Sequence, residues 1–350
     1  MNSTSSPSAP CLSDISNYTI NNPQIQNSIQ QSQSNLSKFD LLVKQRELNP
    51  KVADQLKDIL STCEVVLLCD DSDSMSLTIA EEGTDPFAPR NSTRWLELKK
   101  LAAVIIQFVT AVNDSGLDLY FLNRQKVCNI NSLAGLQNIF NVPPNGGTNL
   151  TNSLMEIYED KKHVTKHKKL LIVVITDGEP TDGTGNARDN LYRAINYIVS
   201  NSHDNTHISF AECTDNAEDM EYLDRWDGLL RNFDNTDDYR EELMRVKSIQ
   251  GMQFKFDYTD YVIKILLATF VRWYFNLDQS KVSSTDYNNY QSNQSPNTQT
   301  QLYQPQIYQP PTNVQSYNPN NTQSSYPNTQ QMNQPTNGNI NQNGGCCIIL

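Results

Sequence analysis

Apolar residues in the middle of this chain switch between two spacings. Continuous runs such as Val65-Val66-Leu67-Leu68-Cys69 and Leu170-Leu171-Ile172-Val173-Val174-Ile175 read as strands buried on both faces. Between them Trp95, Leu98, Leu101, Ala102, Ile105, Val109 and Val112 recur every three or four positions, which predicts a helix with Thr93 as its cap. The same reading predicts helices over 37–48, opened by Ser37, and 50–62, and strands over 117–122 and 127–130, the second at an edge. A helix over 149–161, a strand over 169–176, a helix over 187–200 and a strand over 208–212 follow. Helices over 217–232 and 237–247 come next, the latter with Asp237 and Asp238 at its positive end. A last strand is expected over 252–256, then a helix capped by Thr259 with Val262, Ile263, Leu266, Leu267, Phe270 and Val271 on one face. Strands alternating with helices predict an α/β fold, a doubly wound and mainly parallel sheet with helices on both faces.

Composition changes sharply at both ends. Residues 1–36 are rich in Ser, Asn and Gln and nearly chargeless, and from about residue 280 the chain is Asn, Gln, Pro, Ser, Thr and Tyr, with no charge after Asp286. Such segments bury too little apolar surface to offset the entropy of ordering, so both are expected to be disordered. The expected organisation is a disordered tail (1–36), a helical lead-in (37–62), one folded domain (63–279), a second disordered tail (280–345) and a terminal pentapeptide (346–350). A monomer is expected.

The net charge of −12 argues against nucleic acid as a partner, which normally needs a basic face. Of seven cysteines none shows paired metal-finger spacing, and Cys63, Cys69 and Cys213 read as buried thiols of a reducing compartment. With no N-terminal apolar segment and no apolar run of about 20 residues, a cytoplasmic chain is expected, neither secreted nor membrane-spanning.

The chemistry sits at the ends of these elements. Asp70-Asp71-Ser72-Asp73-Ser74 follows the first apolar strand, Gly146-Gly147-Thr148-Asn149 opens a helix, and Thr176-Asp177-Gly178 closes the most apolar strand. Ligands of open α/β sheets bind beyond the carboxyl ends of the strands, so the three motifs can meet at one edge. Their oxygens suit Mg²⁺, with Mn²⁺ as a substitute. Ser72, Ser74 and Thr148 offer neutral oxygens, and Asp70 and Asp177 can hold metal-bound waters. A metal with few carboxylates in direct contact keeps positive charge, and an acidic side chain of a protein partner can complete its shell. Gly146 and Gly147 are expected to let the backbone approach the ion.

Asp70-x-Ser72-x-Ser74, then Thr148, then Thr176-Asp177-Gly178 together resemble the metal-ion-dependent adhesion site of von Willebrand factor type A domains, over roughly residues 60–275. The resemblance implies a six-stranded sheet with one antiparallel edge strand. It also implies Ser72, Ser74 and sometimes Thr148 as direct ligands, with Asp70 and Asp177 acting mostly through water. It is nearer to intracellular members than to secreted adhesion proteins. Two features depart from the pattern. Asp73 stands where glycine is common, and Asp71 adds a carboxylate, which favours a cation but weakens the pull on an acidic ligand. The loop over 77–91, with Glu81, Glu82 and Asp85, is also long.

The chain closes Cys346-Cys347-Ile348-Ile349-Leu350, and Cys-Ile-Ile-Leu is a C-a-a-X box whose final Leu points to a geranylgeranyl group on Cys347. One lipid anchors weakly and no Lys or Arg follows Lys281, so Cys346 is the candidate for palmitoylation as the second signal. A coil of about 65 residues has a reach on the order of 45 Å. The domain is therefore expected at the cytosolic face of a membrane. The basic run 161–169 precedes a strand and lies at the opposite edge, where contact with anionic lipid would turn the metal site toward the cytosol.

Two other readings compete with a non-enzymatic interaction module. Asp71-x-Asp73 after a strand also resembles a haloacid-dehalogenase-type phosphatase, with Asp71 as nucleophile and Asp73 as acid/base, but Gly146-Gly147-Thr148 is then unexplained. The other is a binding module whose metal site is vestigial and whose partner docks elsewhere.

Overall fold

The most apolar run of the chain becomes the middle of a sheet. The computed structural model describes residues 37–79, 92–181, 183, 185–214, 216 and 220–282. Its strands are β1 (Cys63–Cys69), β2 (Leu117–Phe121), β3 (Val127–Ile130), β4 (Lys169–Thr176), β5 (Thr206–Glu212) and β6 (Phe233–Thr236). They form one sheet in the order β3-β2-β1-β4-β5-β6, parallel throughout except for the antiparallel β2–β3 pair at one edge. β4 pairs with β1 on one side and β5 on the other, so Leu171, Val173 and Ile175 enter one core while Leu170, Ile172 and Val174 enter the other. Burial on both faces explains why this strand reads as an unbroken apolar run.

Helices cover both faces, which gives the doubly wound α/β architecture. One core takes in α3 (Arg94–Val112) and α9 (Tyr258–Leu267), together with Phe39 and Leu42 of α1 (Lys38–Gln45) and Leu56 and Leu60 of α2 (Pro50–Thr62). The lead-in helices thus share the core of the domain. The other core holds α5 (Leu150–Lys161) and α6 (Ala187–Asn201). The caps expected at Ser37 and Thr93 form, and Asn49 supplies a further one. Ser37 makes a reciprocal capping box with Asp40, Asn49 precedes Pro50 at the first helical position, and the Thr93 hydroxyl accepts the Leu96 amide at 3.2 Å. A short antiparallel ribbon pairs Thr78 with Thr93 and pins the two ends of the long loop, whose residues 80–91 lie outside the described residues.

The sequence and the structure part at the carboxyl-terminal third. No strand forms over 252–256, where Met252 is 74% exposed. The sixth strand is Phe233-Asp234-Asn235-Thr236, with one apolar residue in four, and it exists because Phe233 to Thr236 pair in register with Ile208 to Ala211 of β5. The long helix expected over 217–232 is, among the described residues, only α7 (Glu221–Asp224), and positive φ at Gly228 and Asn232 turns the chain into β6. α8 runs Tyr239–Gln250 with Asp238 as its cap, and α9 starts one residue before Thr259, with Asp257 as its cap. Within α9 Lys264, flanked in sequence by Ile263 and Ile265, is fully buried.

Among the described residues no helix is long and apolar enough to cross a membrane. Cys63, Cys69 and Cys213 are buried free thiols. Cys346 and Cys347, the tail expected over 1–36 and nearly all of that expected over 280–345 lie outside the described residues.

Candidate metal centre

β1 and β4 end side by side, with Cys69 in register with Ile175, so Asp70 and Thr176-Asp177 emerge together at the carboxyl edge. The Asp70 amide donates to the Ile175 carbonyl at 2.9 Å. Its carboxylate accepts the Ser72 amide at 2.9 Å on one oxygen and the Thr176 hydroxyl at 2.6 Å on the other. The chain then turns through a 3-10 segment, Asp73–Ser76, which brings both serines forward. Ser72 Oγ lies 3.1 Å from Ser74 Oγ, and Ser74 Oγ donates to Asp177 Oδ1 at 3.0 Å. In an octahedral Mg²⁺ shell with bonds of about 2.1 Å, adjacent oxygens stand about 3 Å apart. The two serine hydroxyls in this row therefore have the spacing of neighbouring ligands, with Asp177 Oδ1 behind Ser74, and the residues present fit a hard divalent ion.

Backbone hydrogen bonds lace the other motif to these two. The Asp73 amide donates to the Gly146 carbonyl at 3.0 Å, and the Asn145 amide to the Asp71 carbonyl at 2.7 Å. The Thr181 amide donates to the Thr148 carbonyl at 2.7 Å, and the Thr148 amide to Thr181 Oγ1 at 2.8 Å. Asp70, Ser72, Ser74 and Asp177 are thus joined directly, while Thr148 reaches the same loops through its backbone. The two glycines also sit close to neighbouring side chains. Gly146 has φ +120°, and a Cβ there would fall 2.3 Å from the Asn123 side chain; one on Gly147 would meet Thr181 Oγ1 at 3.2 Å. At Gly146 the left-handed φ and the Asn123 side chain together disfavour a larger residue.

The two extra carboxylates face away from this row. Asp71 accepts Arg124 Nε at 2.6 Å on one oxygen and the Asn123 amide at 2.8 Å on the other. The Arg124 guanidinium also lies over the rings of Phe121 and Trp95, 4.9 and 5.3 Å from their centroids. Asp73 clasps the second motif, accepting the Gly146 amide at 3.1 Å and Asn145 Nδ2 at 3.2 Å. The charge of Asp71 is therefore balanced by a neighbour within the fold.

The residue missed from the sequence is Arg94. Its Nη1 donates to Asp177 Oδ2 at 2.9 Å, and both side chains are buried. A signal was present, because a cation at the first position of a helix opposes the helix dipole and marks a local rule broken for a reason.

Burial and the nearby Asp177 charge push Asp70 up to about 6 against the pull of its Ser72 and Thr176 bonds. Burial raises Asp177 as well, against Arg94 and Ser74. Two desolvated carboxyls side by side favour a proton or a cation, and a divalent ion suits both.

A second acidic group lies beside the first along the same edge. Carboxylate oxygens of Glu212, Asp224 and Asp237 come within 4.8 Å of one another. Asn235 Nδ2 bridges Glu212 and Asp224 at 2.8 and 2.9 Å, and Arg245 Nη2 sits 2.9 Å from Asp237. Burial pushes Asp237 up to about 7 despite Arg245. A carboxyl raised in the folded state stabilises the fold while protonated and loses that contribution as pH rises through its folded value. The thermal midpoint is therefore expected to fall between about pH 4 and pH 7, and Asp237→Asn to flatten that slope. Melting curves across this range check it, and an unchanged slope in the variant would show that Asp237 ionises without cost.

The basic run lies at the amino edge, and part of its charge is neutralised within the fold. Lys161 pairs with Asp118 at 2.7 Å and Glu64 at 3.0 Å, and Lys168 with Glu64 at 3.4 Å. His163 and His167 flank a short turn, Val164–Lys166, and do not share a helix face. No protein-family model matches this chain, and a search of curated proteins finds no match either.

Proposed function

We propose that this chain is a non-enzymatic interaction module that binds an acidic side chain of a protein partner through Mg²⁺ held by Ser72, Ser74 and Thr148, with Asp70 and Asp177 behind them. The observation that carries the reading is the row Ser72 Oγ–Ser74 Oγ–Asp177 Oδ1, at 3.1 and 3.0 Å. Charge supports it. Asp70, Asp177, Arg94 and one divalent ion leave a single positive charge, which one partner carboxylate would neutralise. The phosphatase reading asks Asp71 to attack a substrate, yet both its oxygens are engaged by Arg124 and Asn123 and the residue is 1% exposed. The terminal Cys346-Cys347-Ile348-Ile349-Leu350, with a prenyl group on Cys347 and an acyl group on Cys346, would hold the module at the cytosolic face of a membrane.

Calorimetric titration of Mg²⁺ and Mn²⁺ into the full chain tests the site. Saturable binding is expected, weakened about tenfold by Thr148→Ala. Equal binding in the variant would move the metal away from these loops. Prenylation is read separately, as the lipid mass added to Cys347 in cells and lost on Cys347→Ser.

A further inference from the structure

Arg94 does more than fill a salt bridge: we infer that it sets the charge of the metal centre, lowering the affinity for the bare ion and keeping the bound ion in want of an anion. The inference rests on the metal reading above. Arg94 is the first residue of α3, directly after the cap Thr93, and its amide donates to the Leu77 carbonyl at 3.1 Å, which ties it to the end of the serine loop. Its side chain is 8% exposed and that of Asp177 is fully buried. The two oxygens of Asp177 are divided between two neighbours. Oδ1 takes the Ser74 hydroxyl on the side of the ligand row, and Oδ2 takes the guanidinium.

Three consequences follow from elementary electrostatics. A guanidinium keeps its proton at any ordinary pH, so its charge is a fixed feature of the site. Desolvated beside a ligand carboxylate, it cancels much of the field that Asp177 would direct at a cation, at a distance where charges in a protein interior still interact strongly. And it stands at the positive end of a helix, so the dipole adds to its effect. The same positive potential that repels a bare divalent ion attracts the carboxylate of a ligand. Metal and anion should then bind cooperatively, each improving the site for the other, because linkage is reciprocal.

A charge series separates this role from mere bracing of Asp177. Arg94→Lys keeps the charge, Arg94→Gln keeps a donor without charge, and Arg94→Met removes both. Mn²⁺ binding to the full chain is followed by the spin-resonance signal of the free ion, with and without acetate as the carboxylate probe, and folding by thermal melting. The Gln and Met variants are expected to bind Mn²⁺ about tenfold or more tighter, the scale on which outer partners of a metal act. The Lys variant should stay close to wild type. Acetate should tighten Mn²⁺ binding in wild type and Lys, and have little effect in Gln and Met. Should the Met variant not fold, the Gln and Lys pair still decides. Affinity that is equal in folded wild type and Gln, or lower in Gln, overturns the role of Arg94 while leaving the metal site in place. A wild type that is silent beside a Gln variant that binds supports it. Silence in every variant overturns the metal reading itself and this inference with it.

Discussion

Lys264→Met is expected to cost about 3–5 kcal/mol, the price of leaving buried charge without its partner. Lys264 Nζ lies 3.2 Å from Glu242 of α8 and 3.3 Å from Asp278, with the three side chains at most 2% exposed. Burial pulls the ammonium down, but Glu242, Asp278, Asp234 and Asp227 outweigh it and hold it well above its ordinary value. Its contribution is thus fully present at neutral pH and lost only above the ordinary lysine range. One cation here joins α8, α9 and the segment where the described chain ends. Without it, Glu242, which burial already pushes up to about 8 against the pull of Lys264, would rise further. The deficit should therefore widen from pH 7 to pH 9, because Glu242 ionises near 8 beside Lys264 but resists ionisation to higher pH without it. Denaturant unfolding at both pH values measures it, with Lys264→Met/Glu242→Gln expected to recover part of the loss. A cost below about 1 kcal/mol would mean that the acids relax into water. Domains of this kind hold about 5–15 kcal/mol in total, so this loss is a large fraction of the stability.

Asp70→Asn should separate binding from stability. The amide keeps the size of the side chain and can still accept the Ser72 amide, and the Thr176 hydroxyl can reverse to accept from the new amide nitrogen. A buried negative charge beside Asp177 disappears, so the metal-free protein should melt at the same temperature or higher. Mn²⁺ affinity should fall about 100-fold, the upper range for a group that orients ligands and bound water. A variant that binds Mn²⁺ like wild type removes Asp70 from the centre. One that melts well below wild type shows that its two hydrogen bonds are structural first.

The buried charges Lys264 and Arg94 both have partners that lie on other parts of the fold. Lys264 lies in the middle of Val262, Ile263, Ile265, Leu266 and Leu267, where a lone Lys reads as solvent-facing. Its two ion-pair partners, Glu242 of α8 and Asp278 beyond α9, lie on other segments, and no local pattern pairs them. Arg94 and Arg124 are each distant in sequence from their carboxylates, Asp177 and Asp71, and only the meeting of β1, β2 and β4 at one edge joins them. Charge is long-ranged in effect but has no period along a chain.

By itself the sequence determined the alternation of strands and helices, the doubly wound sheet, the caps of α1 and α3, and the edge at which Asp70, Ser72, Ser74, Thr148 and Asp177 gather, because each follows from local period, from local hydrogen bonding or from the rule that places loops at strand ends. The tertiary structure alone decided that Phe233-Asp234-Asn235-Thr236 is a strand, since its pairing with β5 outweighs its polar composition. It also decided that Arg94 pairs with Asp177 and Arg124 with Asp71 while Asp70 has only neutral donors, since a side chain's counter-ion depends on what the fold sets beside it.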